Sequence, residues 1–329
     1  MLGNEEGKMS QKISVSSKDT SGAISAGAQQ VGRKKFHIHQ DTLLGYLLIL
    51  PAAIILIIVL VYPTVFNLLV SMREWSWSAS AAAPKPFVGI ENFVKLFEMA
   101  RFWNAIRVSL SMLFFGLIVQ YILGFGLALL LNEQVRGLRI FRTIFILPMI
   151  LAPIVVGIQW RYLLSGNFGV LNYMLTRIGM NPPSWLSDPN LTLWVVILVD
   201  TWMYLPFVAL ILLAGLQQVP KEVYEAAEVD GANWMAKFLN ITFPALIPAT
   251  ITVLLMRGTE IFRAFDVVYV MTGGGPGRST EVLGMMLYKT AFSEGNMGTA
   301  AALAIIIGVV GMAIGMFFIR MVRTDRSMF

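Results

Sequence analysis

The sequence predicts an all-α, polytopic membrane protein with six transmembrane helices, and three observations carry that prediction. Of its 329 residues, 57% belong to the set AVILMFWYC and 13% are charged, whereas soluble domains carry about 45–50% apolar and about 25% charged residues. Six apolar runs reach the length of about 20 residues that a helix needs to cross a hydrocarbon core; they are Leu43 to Val70, Ser109 to Leu131, Ile140 to Leu164, Leu191 to Ala214, Ile241 to Phe262 and Thr299 to Ile319. None of the runs alternates with period 2, so each reads as a helix that satisfies its own backbone hydrogen bonds rather than as a barrel strand.

Before the first run, residues 1–35 are rich in Ser, Gly, Ala, Lys and Gln and nearly free of aromatics. They bury too little to order themselves and are expected to be a disordered tail. Ala79-Ser80-Ala81 resembles a small-residue cleavage site. A signal peptide has a short apolar core near the N-terminus, however, and the first run starts at residue 43 and is far longer, so it is expected to be retained.

Orientation follows from Lys and Arg, which the cytoplasmic side retains. Six spans put both termini on one side. That side holds Arg33, Lys34 and Lys35, then Arg136, Arg139 and Arg142, then Lys221 and Lys237, and finally Arg320, Arg323 and Arg326. The opposite loops carry scattered residues such as Arg73, Arg101, Arg177 and Lys289, without clusters abutting spans. Both termini are therefore expected in the cytoplasm, and the net charge of +6 reads as a topology signal against a lipid bilayer, with no nucleic acid partner.

Several chemistries are excluded. Cysteine is absent, so disulfides, thiol nucleophiles and Cys-ligated metals cannot occur. The two histidines, His37 and His39, lie together before the first span with no acidic partner nearby, which reads as a solvated tail rather than a metal site. No G-x-x-x-x-G-K-[ST], G-x-S-x-G or H-E-x-x-H pattern occurs. The glycine-rich run Gly273-Gly274-Gly275-Pro276-Gly277 has no Lys-Ser/Thr to hold phosphate and reads as a turn. The chain is expected to be a non-catalytic protein without metal or cofactor.

Between the fourth and fifth runs, Pro220 precedes Lys221 and Glu222, and Asp230-Gly231 offers a bend, so two short helices are expected there. Val223, Ala226 and Ala227 fall at i, i+3 and i+4 and give the first of them a narrow face of small apolar residues, while Glu222, Glu225 and Glu228 point elsewhere. Such a face allows close approach of a partner.

Glu225-Ala226-Ala227, three residues, Gly231, nine residues and Ile241-Thr242-Phe243-Pro244 resemble the E-A-A-x3-G-x9-I-x-L-P signature of binding-protein-dependent ABC importer permeases, with Phe243 in place of Leu. The resemblance extends over nearly all of the chain from residue 43, through Leu50-Pro51, Tyr62-Pro63, Phe87-Val88-Gly89-Ile90-Glu91-Asn92-Phe93, Leu147-Pro148 and the stretch from Tyr269 to Gly277. These look like the carbohydrate-uptake branch, with its maltose-type and glycerol-phosphate-type members, and like the first of its two permease subunits. The resemblance implies a type I ABC importer permease fold in a bacterial or archaeal cytoplasmic membrane. It also implies a second permease subunit, cytoplasmic ATP-binding subunits that hydrolyse the ATP, and an extracytoplasmic substrate-binding protein. On this reading residues 36–71 hold the first span, 72–105 an extracytoplasmic loop, 106–322 a five-helix core with the coupling loop 216–240, and 323–329 a cytoplasmic tail. Glu225, Ala226, Ala227, Asp230, Gly231 and Pro244 would then carry the coupling to the ATPase.

A transported polar solute needs polar groups inside the membrane, where an Asp at mid-helix costs about 2.5–3.5 kcal/mol on insertion scales. Asp200 lies near the middle of the fourth run, followed by Trp202, Tyr204 and Pro206, and Gln120 and Gln159 are the uncharged polar candidates. A sugar stacks its C–H face on an aromatic ring and presents hydroxyls to carboxylates and amides, so Asp200 with Trp202 is expected to wall the cavity. The resemblance adds that an Asn or Asp and a Trp in the same stretch face the sugar in the maltose-type subunit. The alternative is that Trp202 and Tyr204 pack helices and Asp200 pairs with an interior donor. Arg257, Glu260, Arg263 and Asp266, spaced by three, are expected to form one stripe at the end of the fifth run, lining the path or snorkelling at the interface.

Two rival functions remain open on the residues alone. A self-powered secondary transporter or channel for a small polar solute would be expected to show an internal repeat or a midplane carboxylate pair, and neither is visible. A structural membrane protein leaves the Glu225 to Gly231 loop unexplained.

Overall fold

The computed structural model describes residues 38–77, 85–132 and 138–325. The expectations for the tail 1–35, for Ala79-Ser80-Ala81, for Arg136 and for the last residues of 323–329 lie outside it. The described residues are helical apart from turns and two isolated bridges, Arg73 with Phe87 and Ser76 with Asn296. Five helical runs are long and apolar enough to cross a membrane among the described residues, and a bent pair makes a sixth crossing if counted as one.

The chain divides into two compact units, 1–65 and 66–329. In the first, α1 (Ile38–Leu56) leads through a π-helical turn (Ile57–Val61) into α2 (Tyr62–Ser71), whose larger part belongs to the second unit. Leu48, Ile55, Val59 and their neighbours are exposed all round, as expected of a helix whose solvent is lipid.

The second unit is built on α4 (Ala100–Asn132), α8 (Pro189–Leu216), α11 (Phe243–Phe262) and α14 (Met297–Asp325). At about 1.5 Å per residue, α4 is long enough to cross a bilayer with residues to spare. Helix α8 is the most enclosed of the spans and packs along α4. Gly124 permits that approach: a Cβ there would lie 2.6 Å from Val208 Cγ1, and small residues are what let helix backbones meet in lipid, where apolar attraction between helices is weak. Two apolar clusters hold the ends of this pair, one around Val208, Leu212, Leu246 and Val253, the other around Met112, Val199, Met203 and Ile261.

The third predicted span is not one continuous helix. Helix α5 (Leu138–Ile150) and α6 (Pro153–Leu163) meet at a bend of 101°. Pro153 opens α6 and Ala152 before it is extended, at φ −64° and ψ 135°, the conformation that a following proline imposes. Hydropathy alone does not register such a break.

Short helices cap one end of the unit. They are α3 (Glu91–Glu98), α7 (Val170–Arg177), α12 (Asp266–Met271) and α13 (Leu283–Tyr288), the last running into a π-helical turn (Lys289–Ser293). Asn92 is buried, and its side-chain amide donates to the carbonyls of Ser71 (2.8 Å) and Arg73 (2.9 Å), so the stretch from Phe87 to Phe93 locks the chain beyond α2. Glu281 is fully buried between Arg101, at 2.8 Å and 3.0 Å, and Lys289, at 3.3 Å, and Arg101 also pairs with Glu294. Burial pushes the Glu281 carboxyl up, but hydrogen bonding and charge from Arg101 and Lys289 hold it below the usual carboxylate range.

At the opposite end of α8, α9 (Lys221–Val229) and α10 (Trp234–Lys237) form the loop between the fourth and fifth runs, and a π-helical turn (Phe238–Thr242) joins α10 to α11.

Candidate functional site: a buried charge network beside a cavity

The polar centre of the unit is assembled by three helices. Asp200 on α8, Gln120 on α4 and Arg257 on α11 are all buried. Arg257 donates from Nη2 to Asp200 Oδ2 at 2.7 Å and from Nε to Gln120 Oε1 at 3.0 Å, while Gln120 Nε2 donates to the same Asp200 oxygen at 2.7 Å. Its remaining fork nitrogen, Nη1, meets Glu260 Oε2 at 2.5 Å, and its guanidinium carbon sits 3.7 Å from the centre of the Tyr204 ring. Guanidinium geometry suits this task, since its planar fork can serve three acceptors and one aromatic face at once. Each charge alone would be costly in an apolar interior; together they are paired and hydrogen-bonded.

This network forms the floor of a cavity of about 330 Å³, whose walls include Asp200, Tyr204, Arg257, Glu260, Arg263 and Phe265. The cavity is mixed in character, with carboxylates, guanidinium groups and two aromatic rings around one space. It offers hydrogen-bond donors and acceptors to a neutral or charged polyol and contains no arranged nucleophile and base.

The candidate path residues separate on this geometry. Asp200 and Tyr204, four apart on α8, share the cavity face, as do Glu260 and Arg263. Trp202 does not join Asp200, because a residue two positions on points to the far side of a helix; it packs edge-to-face on Trp160 at 5.6 Å and is 39% exposed. Gln159 on α6 is exposed and away from the cavity walls. The expected pairing of Asp200 with Trp202 as one wall is thereby replaced by Asp200 with Tyr204. The four-residue charge stripe is not a single stripe either. Helix α11 ends at Phe262, Asp266 opens α12, and Arg257 turns inward to Asp200. The alternative in which Asp200 pairs with an interior donor describes the contact made, and that donor is Arg257. The sequence signal for it is that the fourth and fifth apolar runs carry charges of opposite sign, Asp200 and Arg257, and charges inside a membrane pair with one another.

The loop with the E-A-A-x3-G pattern has its own local logic. Helix α9 ends in a Schellman motif: the Ala232 N–H reaches the Ala227 carbonyl at 2.9 Å and the Gly231 N–H reaches that of Glu228 at 3.0 Å. Gly231 has φ +75°, the left-handed conformation that favours glycine at this place. The spacing Ala227-x3-Gly231 is thus the spacing of a helix stop. Asp230 is the last residue before the turn, and Pro244 sits in the first turn of α11. Lys237 clamps α10 to α9 through Glu228 at 2.6 Å, which holds the Glu228 carboxyl below its ordinary range. Glu225 and Ala226 face outward and Ala227 is half-buried. Val229, Trp234 and Met235 are exposed, at 89%, 66% and 51%, three large apolar side chains on the short loop formed by α9 and α10.

Comparison with known proteins agrees with this architecture. The chain is 31% identical over 289 residues to the trehalose/maltose transport system permease protein MalF of Thermococcus litoralis, covering 88% of this chain and 97% of that one. It is 32% identical over 294 residues to the sn-glycerol-3-phosphate transport system permease protein UgpA of Agrobacterium fabrum, covering 87% and 97%. Its fold superposes with a TM-score of 0.75, at 25% identity over 87% of this chain and 96% of the other, on a chain of a bacterial alginate ABC transporter solved in complex with an alginate pentasaccharide-bound periplasmic protein. Residues 120–326, which contain the buried network, all of the polar cavity walls and the loop, match the family of binding-protein-dependent transport system inner membrane components. The chain belongs to that family and is a multi-pass permease subunit of an ABC importer.

Proposed function

We propose that this permease subunit carries a carbohydrate or a carbohydrate-like polyol through the cavity beside Asp200, Tyr204, Arg257, Glu260 and Arg263, driven by a separate ATPase that docks on the loop 216–240. Both termini lie in the cytoplasm of a bacterial or archaeal cell, beneath its cytoplasmic membrane. A second permease subunit completes the path, ATP-binding subunits hydrolyse the ATP, and an extracytoplasmic binding protein delivers the solute. The organisation is then a span in 36–71, a loop over 72–105 and a core over 106–322.

The observation that carries this reading is the three-helix network of Gln120, Asp200 and Arg257 opening onto a cavity with mixed polar and aromatic walls. Relatives named for trehalose, maltose and glycerol phosphate support the substrate class. The exposed apolar side chains of Val229, Trp234 and Met235, in the same loop as Glu225 and Gly231, support docking of a partner, since exposed apolar patches rimmed by charge mark interaction sites. Closure of the ATPases would pull on α9 and α10, and through the π-helical turn on α11, which holds both Arg257 and Glu260. Binding-protein docking and ATP binding each favour the outward-open state, so the energetic role of this chain is to be the element with two arrangements.

The test is uptake by proteoliposomes containing the whole complex and its binding protein, with radiolabelled trehalose, maltose and sn-glycerol 3-phosphate offered in turn. The reading predicts accumulation of at least one of them that requires both ATP and the binding protein. Accumulation of none, with ATP-dependent uptake of amino acids instead, would overturn the substrate class.

A further inference from the structure

Two short helices place aromatic pairs side by side. Phe265, which precedes α12, and Tyr269 within it stand four apart, stacked at 5.2 Å and 25°, and Tyr288 and Phe292 stand four apart across α13 and its π-helical turn, at 5.2 Å. The pairs meet through Tyr288, which lies 5.3 Å from Phe265 and 4.9 Å from Tyr269, and Trp77 continues the row 6.4 Å beyond Phe292. Phe265 and Tyr288 are half-buried and rest against the apolar core, whereas the other three rings are open to the surroundings. Trp77 is 65% exposed, Phe292 63% and Tyr269 40%. At the other end Phe265 is a wall of the cavity that holds Asp200 and Arg257.

We propose that Trp77, Phe292, Tyr288, Tyr269 and Phe265 form an aromatic track along which a saccharide passes from the extracytoplasmic mouth into the Asp200–Arg257 cavity. The proposal rests on the carbohydrate reading above. Successive rings are spaced on the scale of one pyranose, so each sugar unit can stack its C–H face on the next ring before leaving the last. The Tyr269 and Tyr288 hydroxyls lie 3.3 Å apart at the exposed edge and can exchange that contact for sugar hydroxyls, since each is both donor and acceptor. Lys289 and Glu294, held by Glu281 and Arg101, give the track a charged rim. A row of similar, modest sites also suits passage, which requires binding strong enough to enter and weak enough to leave.

The experiment compares the wild-type complex with Phe292→Leu alone and with Tyr288→Leu combined with Phe292→Leu, which keep apolar bulk but remove the ring faces. Tyr288→Phe and Phe292→Tyr keep the rings. Proteoliposomes with the binding protein are assayed for labelled maltose and trehalose imported per ATP hydrolysed. The track predicts that the double Leu variant imports about fivefold less saccharide per ATP, the equivalent of losing roughly 1 kcal/mol of stacking, with binding-protein-stimulated ATPase activity within about twofold of wild type. The ring-preserving variants should retain the wild-type ratio. An unchanged ratio in the Leu variants would overturn the track while leaving the carbohydrate reading intact. Loss of the second permease subunit from the complex in Phe292→Leu would also overturn it, by making this face a subunit contact. A wild-type complex that imports neither sugar defeats the carbohydrate reading itself, and the track with it.

Discussion

At the scale of single residues, the decisive group is Arg257. It is the one guanidinium held by Asp200, Gln120 and Glu260 together, and its removal leaves Asp200 buried without a counter-charge. Breaking one side of a buried pair costs about 3–5 kcal/mol, whereas replacing both sides by apolar residues is often near neutral. Arg257→Met should therefore lower the thermal midpoint of the purified complex sharply, and Arg257→Met with Asp200→Leu should recover most of that loss. A double variant as unstable as the sum of the two singles would show that the pair is not coupled. Uptake is expected to fail in both, because the cavity loses its charged floor in each.

Glu281 gives a second residue-scale prediction, this time in pH. Its carboxyl is held below the ordinary range in the folded protein, so its contribution to stability is fully present above the unfolded value of about 4.3 and is lost as pH falls through the lower folded value. Relative to Glu281→Gln, the wild-type complex should be more stable at neutral pH and should lose that advantage below about pH 4. Thermal unfolding in detergent at stepped pH measures it; a difference that stays constant down to acid pH would show that the carboxylate charge contributes nothing.

At the scale of elements, the loop of α9 and α10, the lever in the proposed function, has a bend set by one backbone conformation. Gly231 at φ +75° is disfavoured for any residue with a Cβ by about 1 kcal/mol, and no side chain stands near enough to obstruct an added methyl. Gly231→Ala should leave folding almost intact while tilting α10 against α9. The expected result is ATP-driven uptake reduced several-fold with normal amounts of the chain in the membrane, read by uptake assay beside a membrane immunoblot. Wild-type uptake in Gly231→Ala would mean that the angle of this loop does not transmit the ATPase stroke.

The elements also show how the sequence spoke and where it was silent. Helix existence was legible wherever apolar runs were long, and so was the helix stop at Asp230-Gly231, because glycine at that spacing has a local backbone reason. The 101° break between α5 and α6 was not visible in hydropathy, which counts apolar side chains and ignores direction; Pro148 and Pro153 were its only trace. Within the cavity, Asp200 and Tyr204 were found because polar groups are rare in α8. The spacing of Arg257, Glu260, Arg263 and Asp266 by three reads as one stripe, lining the path or snorkelling, because such spacing relates residues along one helix and does not reveal a partner on another. Trp202 was grouped with Asp200 by nearness in sequence, although a helix sends them to different faces.

For the whole molecule, the low charge content identifies lipid as the solvent, and among the described residues charged pairs fix three regions of the fold. Arg101, Glu281 and Lys289 fasten the short helices at one end, Asp200 and Arg257 join three spans beside a cavity, and Glu228 with Lys237 shapes the loop at the other end. The account built on them is that the ATPase stroke at the loop changes access to the cavity. Because the chain has no cysteine, a single Ala264→Cys in the cavity wall reports that access directly. With the complete complex in proteoliposomes, labelling by a membrane-impermeant thiol reagent applied from the extracytoplasmic side should rise about tenfold or more when the binding protein, ATP and vanadate trap the outward state, relative to the nucleotide-free state. Equal labelling rates in the two states would contradict alternating access at this cavity.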